Sequence, residues 1–389
     1  MSPNMEASVQ ACGSWIELDA SALRHNLSVL REEMAPAALC MVVKANAYGH
    51  GYSPMVEMAE AAGQRLFAVF SAREAAGFYR ASDGQSRLMV MGYTHDADVP
   101  WLLGRNAEFW VNDPEDVAKF AAHAEATNAV GRVHLEVETG MNRTGVPLQD
   151  AFELAERIHA HPNLELQGVC THLAGAEDRA NLPRLSKQRE RFEAFVGQLR
   201  DAGLEVEAHL SSSASAILDE ASRYDLVRTG IACYGHWPST QVREQREKKF
   251  TLKRVMSWKS VVMSVHDVRD GDMVGYGGSF EAEGDTKVAV VPVGYVDGLA
   301  RDLSNRGHVL IDGRRASIVG PVNMNMMQVH VSHIPDISPG DEVVLIGNSG
   351  NREIGVSSFA DFSGSMTYEM MARLSVEIPR IVKGEATPG

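Results

Sequence analysis

The ten residues from Val42 to Gly51, VVKANAYGHG, set one lysine at the end of a β-branched apolar run, beside a polar turn broken by glycines. Met41 to Val43 read as a short buried strand, and Gly49 and Gly51 punctuate the turn around His50. A lysine at the C-terminal mouth of a strand, with Asn46, Tyr48 and His50 close behind, is placed to form a Schiff base with a carbonyl ligand. Burial lowers a lysine pKa and so leaves a nucleophilic free amine near neutrality. An isolated strand-end lysine more often snorkels into water. It is the surrounding string that singles out Lys44.

Positioning such a lysine requires a rigid frame, and the chain shows one. Short apolar runs recur at Leu39–Val43, Leu66–Phe70, Leu88–Met91, Glu108–Val111, Arg132–Glu138, Leu164–Thr171, Glu205–Leu210 and Tyr224–Val227. Amphipathic helical patterns lie between several of them, at Pro114–Glu125, Leu148–Ala160, Leu185–Ala202 and Ser213–Ala221. Eight strands alternating with helices predict an α/β fold with an N-terminal (β/α)8 TIM-type barrel. A doubly wound open sheet has the same alternation. The barrel is preferred because Lys44, Arg143, His172, Ser213 and Arg228 all follow strand ends, the face where barrel sites are built.

The pattern changes near residue 240. Gln241 to Phe250 is charged and reads as a linker or exposed edge. Beyond it, alternating strands are expected at Val255–Val265, Val288–Val293, His308–Ile311, Ala316–Val319, Met327–Val331 and Glu342–Ile346, with Asp312-Gly313 and Pro339-Gly340 as turns. The expected division is a barrel over residues 13–240 and a mainly β domain over 241–389. The first strand, 14–18, is expected to pair with the β domain.

With 389 residues, 44% hydrophobic and 23% charged, the composition is that of a globular enzyme of two domains. A net charge of -14 argues against nucleic acid or an anionic membrane as the main partner. The N-terminal residues carry no secretory pattern, and no run approaches the ~18 apolar residues of a membrane span. The four cysteines, Cys12, Cys40, Cys170 and Cys233, lack CxxC spacing and read as reduced residues of a cytoplasmic protein. No spacing of His, Cys, Asp and Glu implies a metal.

Several strings, in one order across residues 14 to 383, resemble the alanine racemases, fold-type III pyridoxal-phosphate enzymes: WIELDASALRHN, VVKANAYGHG, VETGMNRTGV, VCTHLAGAED, VRTGIACYG, VGYGGSF, VAVVPVGYVDGLAR and GDEVVLIG. The resemblance implies pyridoxal 5'-phosphate held by Lys44, which also acts as one of two acid/base groups. Tyr276 matches the second base, working on the opposite face and donated by the partner subunit of a homodimer with composite sites. Arg228 matches the arginine facing the pyridine nitrogen, where a guanidinium disfavours protonation of that nitrogen. The backbone amides of Gly230 and Ile231 and the hydroxyls of Tyr48 and Ser213 would hold the phosphate, and His172 would lie against the ring. For the substrate, Arg143 matches the arginine supporting its carboxylate, Met324 a main-chain contact from the partner subunit, and Tyr295 a tyrosine of the entry.

The chain also departs from the family pattern. Glu136 stands where many members have a lysine, and is expected to hold Arg143 directly by charge-assisted hydrogen bonding. Asn325, Ser212, Val376 and Glu377 replace a usual aspartate, asparagine, tyrosine and arginine. The lost tyrosine hydroxyl at Val376 leaves a preference for serine, a basic amino acid or a broader set as the alternative to alanine. A homologue that binds cofactor without turnover is a further reading. A decarboxylase of the same arrangement is disfavoured by Arg228 and Tyr276, since those enzymes use an acidic partner for the nitrogen and a cysteine from the partner.

Overall fold

The computed structural model describes residues 13–363 and 367–384, so Cys12 lies outside the described residues. They form two units. One comprises residues 21–47 and 55–253, the other 13–20, 48–54 and 254–384.

After β1 (Ser14–Asp19), which belongs to the second unit, the chain lays down β2 (Ala38–Val42), β3 (Leu66–Val69), β4 (Arg87–Val90), β5 (Glu108–Val111), β6 (Gly131–Glu138), β7 (Val146–Pro147), β8 (Leu164–Cys170), β9 (Glu207–His209) and β10 (Leu226–Thr229). The hydrogen-bonded order is β10-β2-β3-β4-β5-β6-β8-β9, all parallel, with the two-residue β7 on β6. Between β9 and β10 the ring is drawn together by single bonds in place of a ladder. Arg228 N donates to Ser211 O at 3.1 Å and Asp225 N to Ala208 O at 3.1 Å. This is a near-closed eight-strand barrel, and every strand expected from the apolar runs is present.

The helices between strands start and stop for local reasons. Pro114–Thr127 opens on Asp113, whose side chain accepts from Asp116 N at 2.8 Å, has proline in its first turn, and ends on Asn128 at φ 52. Leu148–His159 buries Ala151, Leu154, Ala155 and Ile158, an i, i+3, i+4, i+7 stripe packed on β6 and β8. Burying a leucine or isoleucine there contributes roughly 1.5–3 kcal/mol each. The charged segment expected as a linker is instead a helix, Thr240–Arg246. Ser239 caps it, Val242 is buried, and Arg243 pairs with Glu247 one turn on. Its single buried apolar residue left no stripe in the sequence.

The second unit contains β11 (Met256–Val261), β12 (Ser264–Val268), β13 (Thr286–Val291), β14 (His308–Ile311), β15 (Arg314–Ser317), β16 (Met327–His330), β17 (Glu342–Ser349), β18 (Arg352–Ile354) and β19 (Arg380–Lys383). Its larger sheet runs β15-β14-β17-β11-β1-β19, with β18 on β17, and its smaller sheet runs β12-β13-β16. β1 is antiparallel to β11 and parallel to β19. The alternation from Val255 to Val265 is not one strand but two, because the chain changes sheets at Val262 and Met263, whose amides bond Asp341 O and Val290 O at 2.8 Å each. Asp312 and Gly313 turn the β14–β15 hairpin with φ of 46° and 67°, the positive pair a tight two-residue hairpin requires. No helix among the described residues is long and apolar enough to cross a membrane.

Candidate active site

The barrel brings its share of the expected residues to one end. Lys44 lies just past β2, Arg143 in the turn between β6 and β7, His172 past β8, Ser213 past β9, and Arg228, Gly230 and Ile231 at the end of β10. All are at the C-terminal face, where the strand ends converge.

Lys44 starts an unusual turn. Ala45, Asn46, Ala47 and Tyr48 have φ of 54°, 54°, 53° and 52°, a left-handed helical turn closed by Ala47 N donating to Val43 O at 2.9 Å. Left-handed helix costs an L-residue roughly 1–2 kcal/mol, so four in succession persist only where surrounding contacts impose them. Two such contacts are visible. The Tyr234 hydroxyl donates to Val42 O at 3.0 Å, and the Glu74 carboxylate accepts from Ala45 N at 2.8 Å and Phe70 N at 2.6 Å. Glu74 therefore straps the loop carrying the lysine to the loop after β3. Burial lowers the Lys44 pKa, and the Arg143 and Arg228 charges lower it further against the opposing effect of Glu74. The outcome is an amine biased toward its nucleophilic form.

Arg228, only 5% exposed, is the most constrained of the group. One terminal nitrogen donates to Thr171 O at 2.9 Å, the other to His209 O at 3.1 Å and to His209 Nδ1, and the guanidinium lies 5.0 Å from the Trp110 ring centroid. His172 is held neutral, its pKa brought down to about 3 by burial and then by Arg228, Arg143 and Lys44. Those same influences put Lys44, Arg143, His172 and Arg228 within electrostatic reach of one another. The Ser213 hydroxyl accepts from Gly230 N at 3.1 Å, joining the loops after β9 and β10.

Glu136 does not hold Arg143 as expected. Among the described residues no ion pair joins them; Glu136 is buried, bonds the Thr144 side chain, and has its pKa raised by burial, while Arg143 is exposed. Glu136 stays inside β6, whereas the turn after that strand carries Arg143 to the exposed side.

The remaining expected residues belong to the second unit. Tyr48 is buried there, its ring 6.3 Å from that of Tyr368. Tyr276 sits on a short 3-10 turn with Gly275, Gly277 and Gly278 at φ of 75°, 76° and 60°. Tyr295 and Met324 are adjacent, since Tyr295 N donates to Asn323 O and Val296 N to Met324 O at 3.0 Å each. Gly294 permits that approach: a Cβ there would lie 2.2 Å from Met324 O. Tyr276, Tyr295 and Met324 are 79%, 45% and 55% exposed.

Sequence reasoning passed over Glu74, Trp110 and His209. The last two left a signal, polar or aromatic residues alternating at period two within buried strands.

Comparison with known proteins identifies the family. The N-terminal domain model of alanine racemase matches residues 18–238 and the C-terminal domain model residues 255–382. An alanine racemase of Syntrophobacter fumaroxidans is 34% identical over 358 residues, covering 92% of this chain and 94% of its own. The solved structure of alanine racemase from Streptomyces coelicolor superposes with a TM-score of 0.90 at 29% identity, over 98% of this chain and 100% of that one. That from Bartonella henselae, described with covalently bound pyridoxal phosphate, gives 0.84 at 25% identity, over 95% and 99%. With a lysine poised at the barrel mouth, both domain models matched in order and relatives aligned along nearly their whole length, this chain belongs to the alanine racemase family.

Proposed function

We propose that the protein interconverts L- and D-alanine with pyridoxal 5'-phosphate as cofactor, by proton transfer at Cα between two groups on opposite faces. The observation that carries this reading is the Lys44 amine, depressed in pKa among Arg143 and Arg228 at the barrel mouth. The donor set fits the cofactor: a nucleophilic amine for its aldehyde, a fixed guanidinium for its ring nitrogen, and a hydroxyl and backbone amides for its phosphate.

When bound, the cofactor acidifies the Cα–H of the amino acid joined to it. Lys44 holds the cofactor and moves a proton at Cα on one face. The Tyr276 phenol moves the proton on the other, and two bases are needed because one alone returns the proton to the face it left. Arg228 remains protonated and donates toward the ring nitrogen, which disfavours a proton there and limits side reactions. Ser213, Ile231 and Gly230, whose N–H now meets the Ser213 hydroxyl, would hold the phosphate, with Tyr48 assigned there by the resemblance, and neutral His172 would lie by the ring. Arg143 orients the substrate carboxylate.

Tyr276, Tyr295 and Met324 are supplied by a second copy of the chain. Their exposure on glycine-rich loops supports a homodimer, with Met324 meeting the carboxylate and Tyr295 lining the entry. Buried, free Cys40, Cys170 and Cys233 suit the reducing cytoplasm.

The test is a chiral chromatographic time course with L-alanine, L-serine, L-lysine and L-arginine. D-alanine should form fastest. Faster turnover of another amino acid would overturn the substrate assignment and point to Val376, and no D-product would overturn the racemase reading.

A further inference from the structure

We propose that Glu108, at the opposite end of the barrel interior from Lys44, is a positioning residue that acts through His134 and His209 to set the hydrogen-bond polarity presented to Arg228. The proposal rests on the reading of Arg228 as the residue facing the cofactor nitrogen.

The four residues come from four strands and form one continuous chain. The Glu108 carboxylate accepts from Arg87 Nε at 2.7 Å and from a terminal Arg87 nitrogen at 3.2 Å, and it meets His134 Nε2 at 2.9 Å. His134 Nδ1 meets His209 Nε2 at 3.0 Å, and His209 Nδ1 meets Arg228. Arg87 also pairs with Glu207 at 3.0 and 2.9 Å, fastening the base of the chain to β9. Glu108, His134 and His209 are no more than 2% exposed.

Donor counting fixes every proton. Although burial opposes ionisation of Glu108, its bonds to His134 and Arg87 prevail and hold its pKa down to about 2. A carboxylate only accepts, so His134 Nε2 carries the hydrogen. Neutral His134 then accepts at Nδ1, His209 donates from Nε2, and His209 Nδ1 is left as a lone pair for the Arg228 N–H. A doubly protonated His134 would reverse the second bond and set a His209 N–H against the guanidinium donor. Neutral His209 agrees, since burial first and then the Arg228 and Arg87 charges lower its pKa well below the ordinary value. Orienting partners of this kind matter because the group facing a ligand inherits its geometry from them.

The backbone is built around this pair of histidines. Gly168 on β8 leaves the room, since a Cβ there would lie 2.5 Å from His134 Nδ1 and 2.6 Å from Glu207 O. The β6–β8 register shifts between Val133 and His134, at the same place. Barrel interiors are ordinarily filled by branched apolar side chains, and a buried ion pair is seldom more stable than an apolar replacement.

Glu108→Leu is the informative substitution. It removes the carboxylate that accepts from His134 Nε2 and leaves the Arg87 donors beside it, so the hydrogen is no longer held at Nε2. That lets both histidines reverse and turns a His209 N–H toward Arg228. In the cofactor-loaded protein, 15N spectra of labelled histidine should show His209 as the Nε2–H tautomer in wild type and as Nδ1–H in the variant. The ring-nitrogen resonance of 15N-labelled pyridoxal phosphate should move, and kcat should fall roughly 10-fold to 100-fold with KM little changed. Unchanged tautomer and ring resonance in the variant would overturn the proposal. Should Glu108→Leu not fold, wild type alone decides, because an Nδ1–H tautomer at His209 would defeat the relay. Arg228→Lys tests the underlying reading separately: a ring resonance that stays put would remove Arg228 from the cofactor while leaving the tautomers intact.

Discussion

The two units present their reactive residues in opposite ways. In the barrel, Arg228 is gripped by β8, β9 and the Trp110 ring, and Lys44 is held by a left-handed turn that Glu74 and Tyr234 secure from both sides. In the second unit, Tyr276, Tyr295 and Met324 stand on exposed loops whose glycines take positive φ or admit close backbone contact. A parallel barrel converges strand ends on an interior, so its side chains can be fixed by one another. A loop on an antiparallel sheet offers its residues outward, and ordering them requires something to dock there. The contrast matches the proposed roles, in which most cofactor contacts are fixed within the barrel and Tyr276, Tyr295 and Met324 are offered to another copy.

The largest expected effect lies on the barrel side. Lys44→Ala should abolish covalent attachment of the cofactor and lower racemisation by more than about 10⁴-fold, read by cofactor absorbance and a chiral assay. Retained attachment would place the reactive amine elsewhere. Tyr276→Phe should retain the cofactor spectrum and lower turnover by about 10²- to 10⁴-fold. Because the tyrosine is assigned to the partner, mixing Lys44→Ala with Tyr276→Phe chains should restore one competent site per mixed dimer. No recovery on mixing would show that Tyr276 is not donated by the partner.

The pH dependence of stability sharpens the same contrast. His172 and His209 are neutral in the fold, with pKa values lowered by burial first, and regain the ordinary 6.5 on unfolding. Below 6.5 the unfolded chain binds more protons, so their contribution is complete well above 6.5 and declines as the pH falls, for His172 until about 3. Each histidine should cost up to ~1.4 kcal/mol per pH unit once the pH is about a unit below 6.5, measured by urea unfolding. In the second unit burial lowers the pKa of His308 and His330 in the same direction, but both are only partly buried. Hydrogen exchange followed unit by unit should therefore show the steeper loss in the barrel, and an equal loss in both would contradict the difference drawn here. The smallest effect is Ser213→Ala, which removes the hydroxyl proposed to meet the phosphate and the acceptor of Gly230 N–H. It should weaken cofactor binding by about 0.5–1.5 kcal/mol in a titration of the apoprotein.

Much of this was legible in the chain itself. Apolar runs of four to eight residues marked all eight barrel strands, because a strand buried on both faces must be apolar along its length. Lys44, Arg143, His172, Ser213 and Arg228 could be placed at one face because each follows such a run. Less visible were elements stabilised by something other than an apolar period. The helix Thr240–Arg246 depends on a cap and an i, i+4 ion pair, and the division of Val255–Val265 depends on which strands lie beside its two halves.

What the sequence determined alone was local: period, turn chemistry, and the ordered strings that mark the family, all written in neighbouring residues. Tertiary structure decided everything that depends on distant groups meeting. Glu108 and His134 are 26 residues apart, His134 and His209 are 75 apart, and His209 and Arg228 are 19 apart. No pattern along the chain assigns the tautomer of one histidine to a carboxylate on another strand. That assignment exists only once the strands close around a space left by Gly168, because hydrogen-bond direction is set by what each atom faces, not by what precedes it.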